Sequence, residues 1–224
     1  MIKNILNLGD AAVYCDFGIE VSQKINQNVI KYFKNIKEKN IEGVTNITPS
    51  YNKLIVSFDL SVINYTKLKS LIENLSIEEK TYDNNKTIEI PVCCENNFKL
   101  DHDRIEKILN CKFDKILENF FNKEYFCYMT GFIAGMPFLG DLNENLRVKR
   151  LETPRVKVPK GSIGLTEQFC NIYTYESPGG WNIIGNTPIK IFNKKNESSP
   201  ALINPGDQVK FKQITQEEYD KIKQ

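Results

Sequence analysis

Glycine is distributed unevenly along this chain of 224 residues, and that distribution constrains the fold more than any other feature. Nine of the twelve glycines lie between Gly131 and Gly206, where short apolar runs are interrupted by glycine and proline. Turn signals separated by about 8–12 residues are typical of a closed β barrel or a β sandwich, because each short strand is followed by a tight turn. The second part of the chain is therefore predicted to be a β barrel.

Helix and strand patterns alternate in the first part of the chain. Apolar residues at helical spacing predict amphipathic helices at residues 22–39 and 65–75. Runs rich in β-branched and aromatic residues predict strands at residues 11–15, 43–48 and 54–58. Strands and helices in this order predict a small unit in which a sheet packs on two helices.

A polar, turn-prone tetrapeptide at residues 83–86 follows this unit. A strand pattern and two short helical patterns come next, at residues 87–92, 101–109 and 113–121. We therefore predict an α+β fold, in which a small N-terminal unit of the α/β-sandwich type at residues 1–84 precedes a β-barrel domain at residues 87–224.

The overall composition excludes several classes of protein. The 30 Lys and Arg residues are balanced by 28 Asp and Glu residues, a net charge of +2 that does not favour a nucleic-acid partner. The apolar runs are too short to predict a membrane span. Asn4, Asn7 and Asp10 interrupt the apolar residues near the N-terminus, which does not fit a secretory signal. We expect a cytoplasmic protein.

Cysteine and histidine are arranged unfavourably for metal or triad chemistry. The six cysteines include no Cys-x-x-Cys pair, and His102 is the single histidine, so we predict no metal site. A Ser-His-Asp or Cys-His site would require His102 as its base, yet His102 lies in a polar stretch typical of a loop or a helix start. The adjacent Cys93 and Cys94 are either a redox pair or two ordinary residues at the end of a strand.

Three glycines and two aromatic residues make residues 131–140 the first candidate binding segment. Gly131 and Gly135 allow close approach or positive φ, and Phe132 and Phe138 provide flat apolar surfaces. The alternative is a barrel corner with buried aromatic side chains. The segment is not a nucleotide-binding loop, because neither glycine-rich phosphate-binding pattern is present.

Residues 147–160 form a basic segment that contains three of the four arginines of the protein. Arginine recognises carboxylates and phosphates with two parallel hydrogen bonds, so Arg155 is a candidate for anion binding. The alternative is a solvated basic loop.

The third candidate segment surrounds the single tryptophan, Trp181. Pro178 and Gly179 predict a turn with positive φ at the glycine, and Gly180 would leave its amide open to a ligand. Glu176 and Ser177 could act there as an acid or base and as a hydrogen-bond donor. The alternative is a tight turn held by one buried tryptophan.

These three segments together resemble a known family. They read Gly-Phe-x-x-Gly-x-Pro-Phe-Leu-Gly, then Thr-Pro-Arg-x-x-Val-Pro-x-Gly-Ser, then Glu-Ser-Pro-Gly-Gly-Trp-x-x-Ile-Gly-x-Thr-Pro. Their order and spacing resemble those of the 5-oxoprolinase B-subunit family (PxpB), also described as subunit 1 of allophanate hydrolase, which includes the Kip inhibitor (KipI) of a sporulation sensor kinase. The resemblance extends to Leu-Gly-Asp-Ala at residues 8–11 and to Ile-Pro-Val-Cys at residues 90–93.

The resemblance implies a cyclophilin-like barrel and a heteromeric enzyme. In that family, the B subunit works with the C and A subunits to hydrolyse 5-oxo-L-proline to L-glutamate with ATP. We therefore expect a subunit that is inactive alone, with ATP, together with Mg²⁺, as co-substrate and no tightly bound cofactor. The alternatives are a Kip-type inhibitor of a sensor histidine kinase and, from the fold alone, a prolyl isomerase.

Site residues are expected in the three motifs, as contacts to the small-molecule substrate or to a partner subunit. The candidates are Gly131, Phe132, Gly135, Phe138, Arg155, Glu176, Ser177, Gly179, Gly180 and Trp181. No catalytic residue is assigned among them. Residues 166–171 depart from the glycine-rich pattern that the family has before Ile-Tyr, which would alter the substrate if this segment lines the site.

Overall fold

The computed structural model of this chain describes residues 1–77 and 87–223. The chain divides into two units, Met1–Asp83 and Asn84–Gln224. The polar tetrapeptide at residues 83–86 lies outside the described residues, so the predicted domain limits stay a prediction.

The N-terminal unit is a four-stranded antiparallel sheet with two helices. Its strands are β1 (Asn4–Asn7), β2 (Ala12–Asp16), β3 (Val44–Pro49) and β4 (Lys53–Phe58), and its helices are α1 (Gln23–Lys39) and α2 (Tyr65–Glu73). The strand order is β1-β2-β4-β3. Alternate residues of β2 and β4 are buried against the apolar faces of both helices, as a half-buried sheet requires.

Polar side chains determine where the two helices begin. Ser22 precedes α1, and its Oγ accepts a hydrogen bond from the Ile25 N–H at 3.4 Å. Asn64 precedes α2, and its Oδ1 accepts from the Lys67 N–H at 2.9 Å. Both side chains satisfy amides that have no partner within the first helical turn. The predicted helices are confirmed to within two residues at each end.

Strand β1 was not predicted from the sequence. Its residues alternate little in polarity, and three of its four side chains are not buried. It pairs only with β2 in the sheet order, so it is an edge strand held mainly by backbone hydrogen bonds. An edge strand needs less apolar patterning than a central one, which explains why the sequence did not indicate it.

The C-terminal unit is a closed barrel of seven strands in the order β10-β7-β6-β13-β5-β12-β9. The barrel strands are β5 (Thr87–Cys93), β6 (Glu124–Thr130), β7 (Pro137–Gly140), β9 (Ser162–Thr166), β10 (Phe169–Ile172), β12 (Asn182–Asn186) and β13 (Gln208–Ile214). The pair β5–β13 is parallel, and the other pairs are antiparallel. Strands β8 (Arg155–Val158) and β11 (Ser177–Gly179) form a separate two-stranded sheet, which we call the ribbon.

Three helices complete this unit: α3 (His102–Leu109), α4 (Phe113–Phe121) and α5 (Gln216–Lys223). The buried residues of α3 and α4 join those of the barrel strands in one apolar core. The α+β fold class predicted from the sequence, with a β barrel after a sheet-and-helix unit, is therefore confirmed. None of the helices in the described residues has the length and apolar character needed to cross a membrane.

Candidate functional site

One wall of the barrel packs against the ribbon. Cys170 and Ile172 of β10 face the main core, so Asn171, between them, points to the other side of the strand. On that side, a second apolar cluster combines Val158 of the ribbon with barrel-wall residues that include Tyr173. We call the surface formed by Phe138, Arg155, Asn171, Tyr173 and Trp181 the ribbon-covered face.

Tyr173 is buried at the centre of this face. Burial raises the pKa of its phenol, while the Asn171 side chain, the Trp181 backbone and the charges of Arg150 and Arg155 act in the opposite direction. The net direction is upward, so Tyr173 keeps its proton at neutral pH and acts as a hydrogen-bond donor.

Gly179 owes its identity to Tyr173 rather than to a turn. The predicted turn is wrong, because Ser177–Gly179 is strand β11 and Gly179 does not have positive φ. Pairing of Gly179 with Arg155 keeps the backbone extended. A Cβ at this position would overlap the Tyr173 hydroxyl, so only glycine lets the ribbon approach the phenol so closely.

Arg155 reaches from the ribbon to the start of helix α3. Its Nη2 forms an ion pair with Oδ1 of Asp101, and the two side chains are 27% and 5% exposed. The other terminal nitrogen, Nη1, is buried and has no hydrogen-bond partner among the described residues. Arg155 is therefore a partly buried, positioned guanidinium with one donor group left over, rather than a solvated basic residue.

Asp101 connects three elements of the C-terminal unit. Its Oδ2 accepts a hydrogen bond from the Ile183 N–H at 2.6 Å, and its own N–H donates to the Ile183 carbonyl at 3.0 Å. Its carbonyl accepts from the Ile105 N–H at 2.9 Å in the first turn of α3. Because the carboxylate also binds Arg155, Asp101 fixes the guanidinium relative to strand β12.

Asn171 is fully buried, and neither of its amide atoms makes a well-formed hydrogen bond to a described residue. Gly164 lies opposite it on β9, where a Cβ would come within 2.6 Å of the Asn171 Oδ1. The absence of a side chain at Gly164 therefore leaves room for the amide. A buried amide without partners costs about 1–3 kcal/mol, which makes it a candidate for ligand binding.

The two predicted aromatic residues that the structure brings together are Phe138 and Trp181. Their rings are in edge-to-face contact, with centroids 5.6 Å apart. A Cβ on Gly164 would lie 3.0 Å from the Trp181 Cβ and 2.6 Å from the Asn171 Oδ1, so the base of the Trp181 side chain is close to Asn171. The aromatic pair forms an apolar border for the polar groups of the ribbon-covered face.

The other residues of the first motif lie in the loop between β6 and β7. Gly135 has φ of 67°, and a Cβ there would collide with the Phe192 ring. A Cβ on Gly131 would lie 2.8 Å from the methyl carbon of Met129. Phe132 has φ of 66° and is 72% exposed, so it does not form a buried wall with Phe138.

Glu176 and Ser177 lie at the surface of the ribbon. The Glu176 carboxylate forms an exposed ion pair with the Lys157 Nζ at 3.0 Å. The Ser177 Oγ donates to the Pro178 carbonyl at 3.4 Å. Gly180 is buried, and its carbonyl accepts from the Leu151 N–H at 2.8 Å. These residues thus hold the ribbon and the preceding basic segment in place.

Cysteine chemistry is not favoured where the structure describes the chain. Burial raises the pKa of Cys93, Cys94, Cys127 and Cys170 and raises that of Cys15 to about 12, so these thiols remain protonated. Within the same residues, no group of three or more His, Cys, Asp or Glu side chains is arranged to hold a metal ion.

Sequence reasoning missed Asp101, Asn171 and Tyr173 as site residues. Asp101 resembles an ordinary helix start, and Tyr173 follows a buried strand as many core tyrosines do. Asn171 offered one usable signal: it is a polar residue between the apolar Cys170 and Ile172 in a short strand. Its neighbours on both sides are buried. Its significance required knowing that the ribbon covers this side of the strand.

Comparison with known proteins assigns the chain to a family. The family described as carboxyltransferase domain, subdomain C and D, matches residues 3–203. The chain is 31% identical over 236 residues to the B subunit of 5-oxoprolinase from Bacillus subtilis (strain 168), an alignment that covers 98% of this chain and 96% of the relative. It is 32% identical over 209 residues to the B subunit of 5-oxoprolinase from Haemophilus influenzae, with 93% and 96% covered.

Solved structures extend the similarity to the fold. The crystal structure of TTHA0988 is similar, with a TM-score of 0.81 and 26% sequence identity over 91% of this chain. This chain spans 40% of the length of that protein. Together with the family match and the 5-oxoprolinase relatives, this similarity shows that the chain belongs to the carboxyltransferase subdomain C and D family and, within it, to the 5-oxoprolinase B-subunit family.

Proposed function

We propose that this chain is the B subunit of a cytoplasmic, ATP-dependent 5-oxoprolinase complex, which hydrolyses 5-oxo-L-proline to L-glutamate together with the C and A subunits. The observation that carries the proposal is the similarity over 98% of the chain to a relative named as the B subunit of 5-oxoprolinase. The ribbon-covered face supports it, because a partly buried arginine, a phenol and an amide beside two aromatic rings suit a small polar ring compound.

The chain is proposed to have no turnover by itself. Opening a lactam at neutral pH requires an activated carbonyl, a nucleophilic water and a proton donor for the departing nitrogen. The described residues supply donors, but their buried thiols are protonated and no metal-binding group of acidic side chains is present among them. ATP and its Mg²⁺ are therefore proposed as co-substrate and ion of the whole complex.

The predicted site residues divide into two proposed roles. Phe138, Arg155, Gly179, Gly180 and Trp181 lie on or next to the ribbon-covered face and are proposed to contact or shape the substrate site. The remaining candidates are proposed to contact a partner subunit, since Phe132 is 72% exposed and Glu176 is at the surface. They are Gly131, Phe132, Gly135, Glu176 and Ser177.

Reconstitution tests the proposed function. The purified chain would be mixed with the C and A subunits from the same genome, and glutamate release from 5-oxo-L-proline would be measured with and without ATP. Turnover is expected in the full mixture and not in mixtures that lack this chain or either partner. Turnover by the isolated chain, or an undiminished rate without it, would contradict the proposal.

The same preparation separates the enzyme subunit from the Kip-type alternative. Autophosphorylation of a sensor histidine kinase from the same genome would be followed with increasing amounts of the chain. The enzyme proposal expects no inhibition at equimolar chain. Stoichiometric inhibition together with an inactive reconstituted mixture would favour the regulatory function instead.

A further inference from the structure

Two residues of the ribbon-covered face carry buried polar atoms without partners. Three buried side-chain polar atoms that lack a hydrogen-bond partner within the described parts of the chain belong to Arg155 and Asn171. Native proteins leave few such atoms, because each costs stability unless a ligand or a water satisfies it. Two such residues on one face therefore indicate a site rather than an accident of packing.

Tyr173 brings these atoms together. A Cβ on Gly164 would lie 2.6 Å from the Asn171 Oδ1 and 3.3 Å from the Tyr173 ring, and Arg155 pairs with Gly179 across the ribbon, so the three side chains lie on one face. The ribbon strand that carries Gly179 passes directly over the hydroxyl. The unpartnered groups comprise a donor at the Arg155 Nη1 and an acceptor at the Asn171 Oδ1, and the Asn171 Nδ2 has no well-formed partner beyond its interaction with the Tyr173 phenol.

The charges next to this environment favour a monoanion. Arg150 and Arg155 contribute two positive charges near Tyr173, and Asp101 contributes one negative charge through its ion pair with Arg155. The sum of these three is +1. A dianionic phosphate would overcompensate that charge and would lie near the Asp101 carboxylate, whereas a single carboxylate balances it.

We propose that the ribbon-covered face is a binding pocket for a carboxylate carried on a small lactam ring. In this arrangement the Arg155 Nη1 and the Tyr173 hydroxyl donate to the carboxylate. The Asn171 amide pairs with the N–H and the carbonyl of the ring, and Phe138 and Trp181 border the ring. Asp101 is a positioning residue, because it holds the guanidinium without facing the ligand. The inference rests on the proposed function only for the choice of the lactam as probe.

Entry to the pocket requires the ribbon to move. The ribbon consists of a four-residue and a three-residue strand, with an irregular register between Ser177 and Gly179. It pairs with no strand of the barrel in the sheet order. Two-stranded sheets of this length have little stability of their own, so we expect strand β11 to open around Gly179 and close again over a ligand, while Val158 and the Arg155–Asp101 ion pair keep β8 in place.

The test uses Asn171→Leu in the full chain. If the amide serves a ligand, the leucine variant is expected to melt at least about 2 °C higher, because it no longer buries an unpartnered amide. The same variant is expected to bind 5-oxo-L-proline at least about tenfold more weakly than the wild type, as measured by calorimetry and by Trp181 fluorescence. A structural amide would give the opposite result, a lower melting temperature with binding unchanged.

Asn52→Leu is the matched control. Asn52 is also a buried asparagine, but its Nδ2 donates to the Gly18 carbonyl at 2.9 Å and to the Glu20 carbonyl at 3.0 Å. The control is expected to melt lower than the wild type and to bind the probe normally. If Asn171→Leu does not fold, Arg155→Lys provides the binding test. Lysine keeps the positive charge but lacks the guanidinium fork, so this variant is expected to bind 5-oxo-L-proline about tenfold or more weakly than the wild type.

Two further probes identify the chemistry that is recognised. Pyrrolidin-2-one, the same ring without the carboxylate, is expected to bind at least about tenfold more weakly than 5-oxo-L-proline. Inorganic phosphate is expected not to compete at concentrations that saturate the site with 5-oxo-L-proline. Equal binding of pyrrolidin-2-one, effective competition by phosphate, or no binding of 5-oxo-L-proline to the wild-type chain would overturn the pocket.

The failures of the two proposals can be told apart. An active reconstituted complex with a chain that does not bind 5-oxo-L-proline would overturn the pocket and leave the proposed function standing. A chain that binds 5-oxo-L-proline through Asn171 and Arg155, in a complex without turnover, would support the pocket and contradict the proposed function.

Discussion

The two units of this protein bury asparagine side chains for different ends. In the N-terminal unit, Asn52 donates to two loop carbonyls, and the Asn26 Nδ2 donates to the Ser50 and Tyr51 carbonyls at 2.9 and 2.8 Å. In the barrel, Asn171 is buried as completely and makes no such bonds to described residues. An asparagine that hydrogen-bonds to backbone carbonyls stabilises the fold. A buried asparagine without such bonds lowers the free energy of unfolding at that position.

The same contrast holds for two ion pairs, one in each unit. The Lys53 Nζ contacts the Asp16 Oδ1 at 2.5 Å and the Gly18 carbonyl at 2.5 Å, at the partly exposed end of the two central strands of the N-terminal sheet. The Arg155 guanidinium contacts a buried aspartate and keeps one nitrogen unpartnered. The first pair stabilises the loop at Gly18. The second positions the Arg155 guanidinium so that its Nη1 can bind a further anion.

The largest effect is expected from the buried carboxylate. Asp101→Ala removes the partner of Arg155 and the acceptor of the Ile183 N–H, so it should lower the free energy of unfolding by about 3 kcal/mol. Asp16→Ala, in the more exposed pair, should cost roughly 1 kcal/mol. Urea unfolding of both variants measures the difference. Equal losses would remove the distinction between the two ion pairs.

A satisfied asparagine within the barrel sharpens the comparison. The Asn186 Nδ2 donates to the Lys160 carbonyl at 2.8 Å, and its Oδ1 accepts from the Tyr219 hydroxyl at 2.8 Å. Asn186→Leu should therefore lower the free energy of unfolding by about 2 kcal/mol, because it leaves two buried polar groups without partners. Denaturant unfolding followed by Trp181 fluorescence measures this. If Asn186→Leu left the free energy of unfolding unchanged or raised it, the hydrogen bonds of the Asn186 amide would not be what distinguishes Asn186 from Asn171.

Alkaline pH should weaken the barrel more than the N-terminal unit. Burial raises the pKa of Cys94, Cys127 and Cys170 in the barrel, whereas in the N-terminal unit it raises that of Cys15. Because the folded pKa values are raised, the stability that these thiols confer is complete below the unfolded pKa of about 9 and is lost as the pH rises above it.

Each buried thiol should therefore cost about 1 kcal/mol of stability between pH 9 and 10. The loss should be at least three times as large in the barrel unit, where the pKa of Cys93 is raised as well, as in the N-terminal unit. The barrel is followed by Trp181 fluorescence during urea unfolding, and the N-terminal unit by hydrogen exchange of the Val13 and Leu54 amides. Cys170→Ala should reduce the loss of barrel stability between pH 9 and 10 by about 1 kcal/mol, because it removes one buried thiol. Parallel losses in both units would contradict this prediction.

The smallest effect is expected at the surface of the ribbon. Glu176→Gln breaks the exposed ion pair with Lys157 and should change the free energy of unfolding by less than about 0.5 kcal/mol. If Glu176 contacts a partner subunit as proposed, the variant should nevertheless weaken assembly of the reconstituted complex, which sedimentation can measure. Unchanged assembly would remove Glu176 from the partner surface.

Much of the site could be located, but not assembled, from the sequence. The motifs pointed to Arg155, Gly179 and Trp181, which lie on or next to the ribbon-covered face, because these residues stand out in their segments. The interpretation of Gly179 as a turn residue failed, since the letters Pro-Gly do not say whether positive φ or close approach is required. Here the Tyr173 hydroxyl requires the close approach.

The sequence by itself determined the secondary structure wherever the pattern is local. Helix α1 follows from its apolar stripe and from Ser22, and α4 was predicted at the same residues, Phe113–Phe121. The split into a sheet-and-helix unit and a barrel follows from the glycine distribution. These features depend on residues a few positions apart, so the side chains alone carry the information.

Only the tertiary structure decided which polar groups have partners. Asp101 is 54 residues from Arg155 and 82 residues from Ile183, and only the packing of helix α3 against the ribbon and β12 brings these three together. Asn171 became a site residue because β10 turns it away from the main core and towards the ribbon. The physical reason is that burial of a polar group is tolerable or costly according to its neighbours in space, and local sequence does not specify those neighbours.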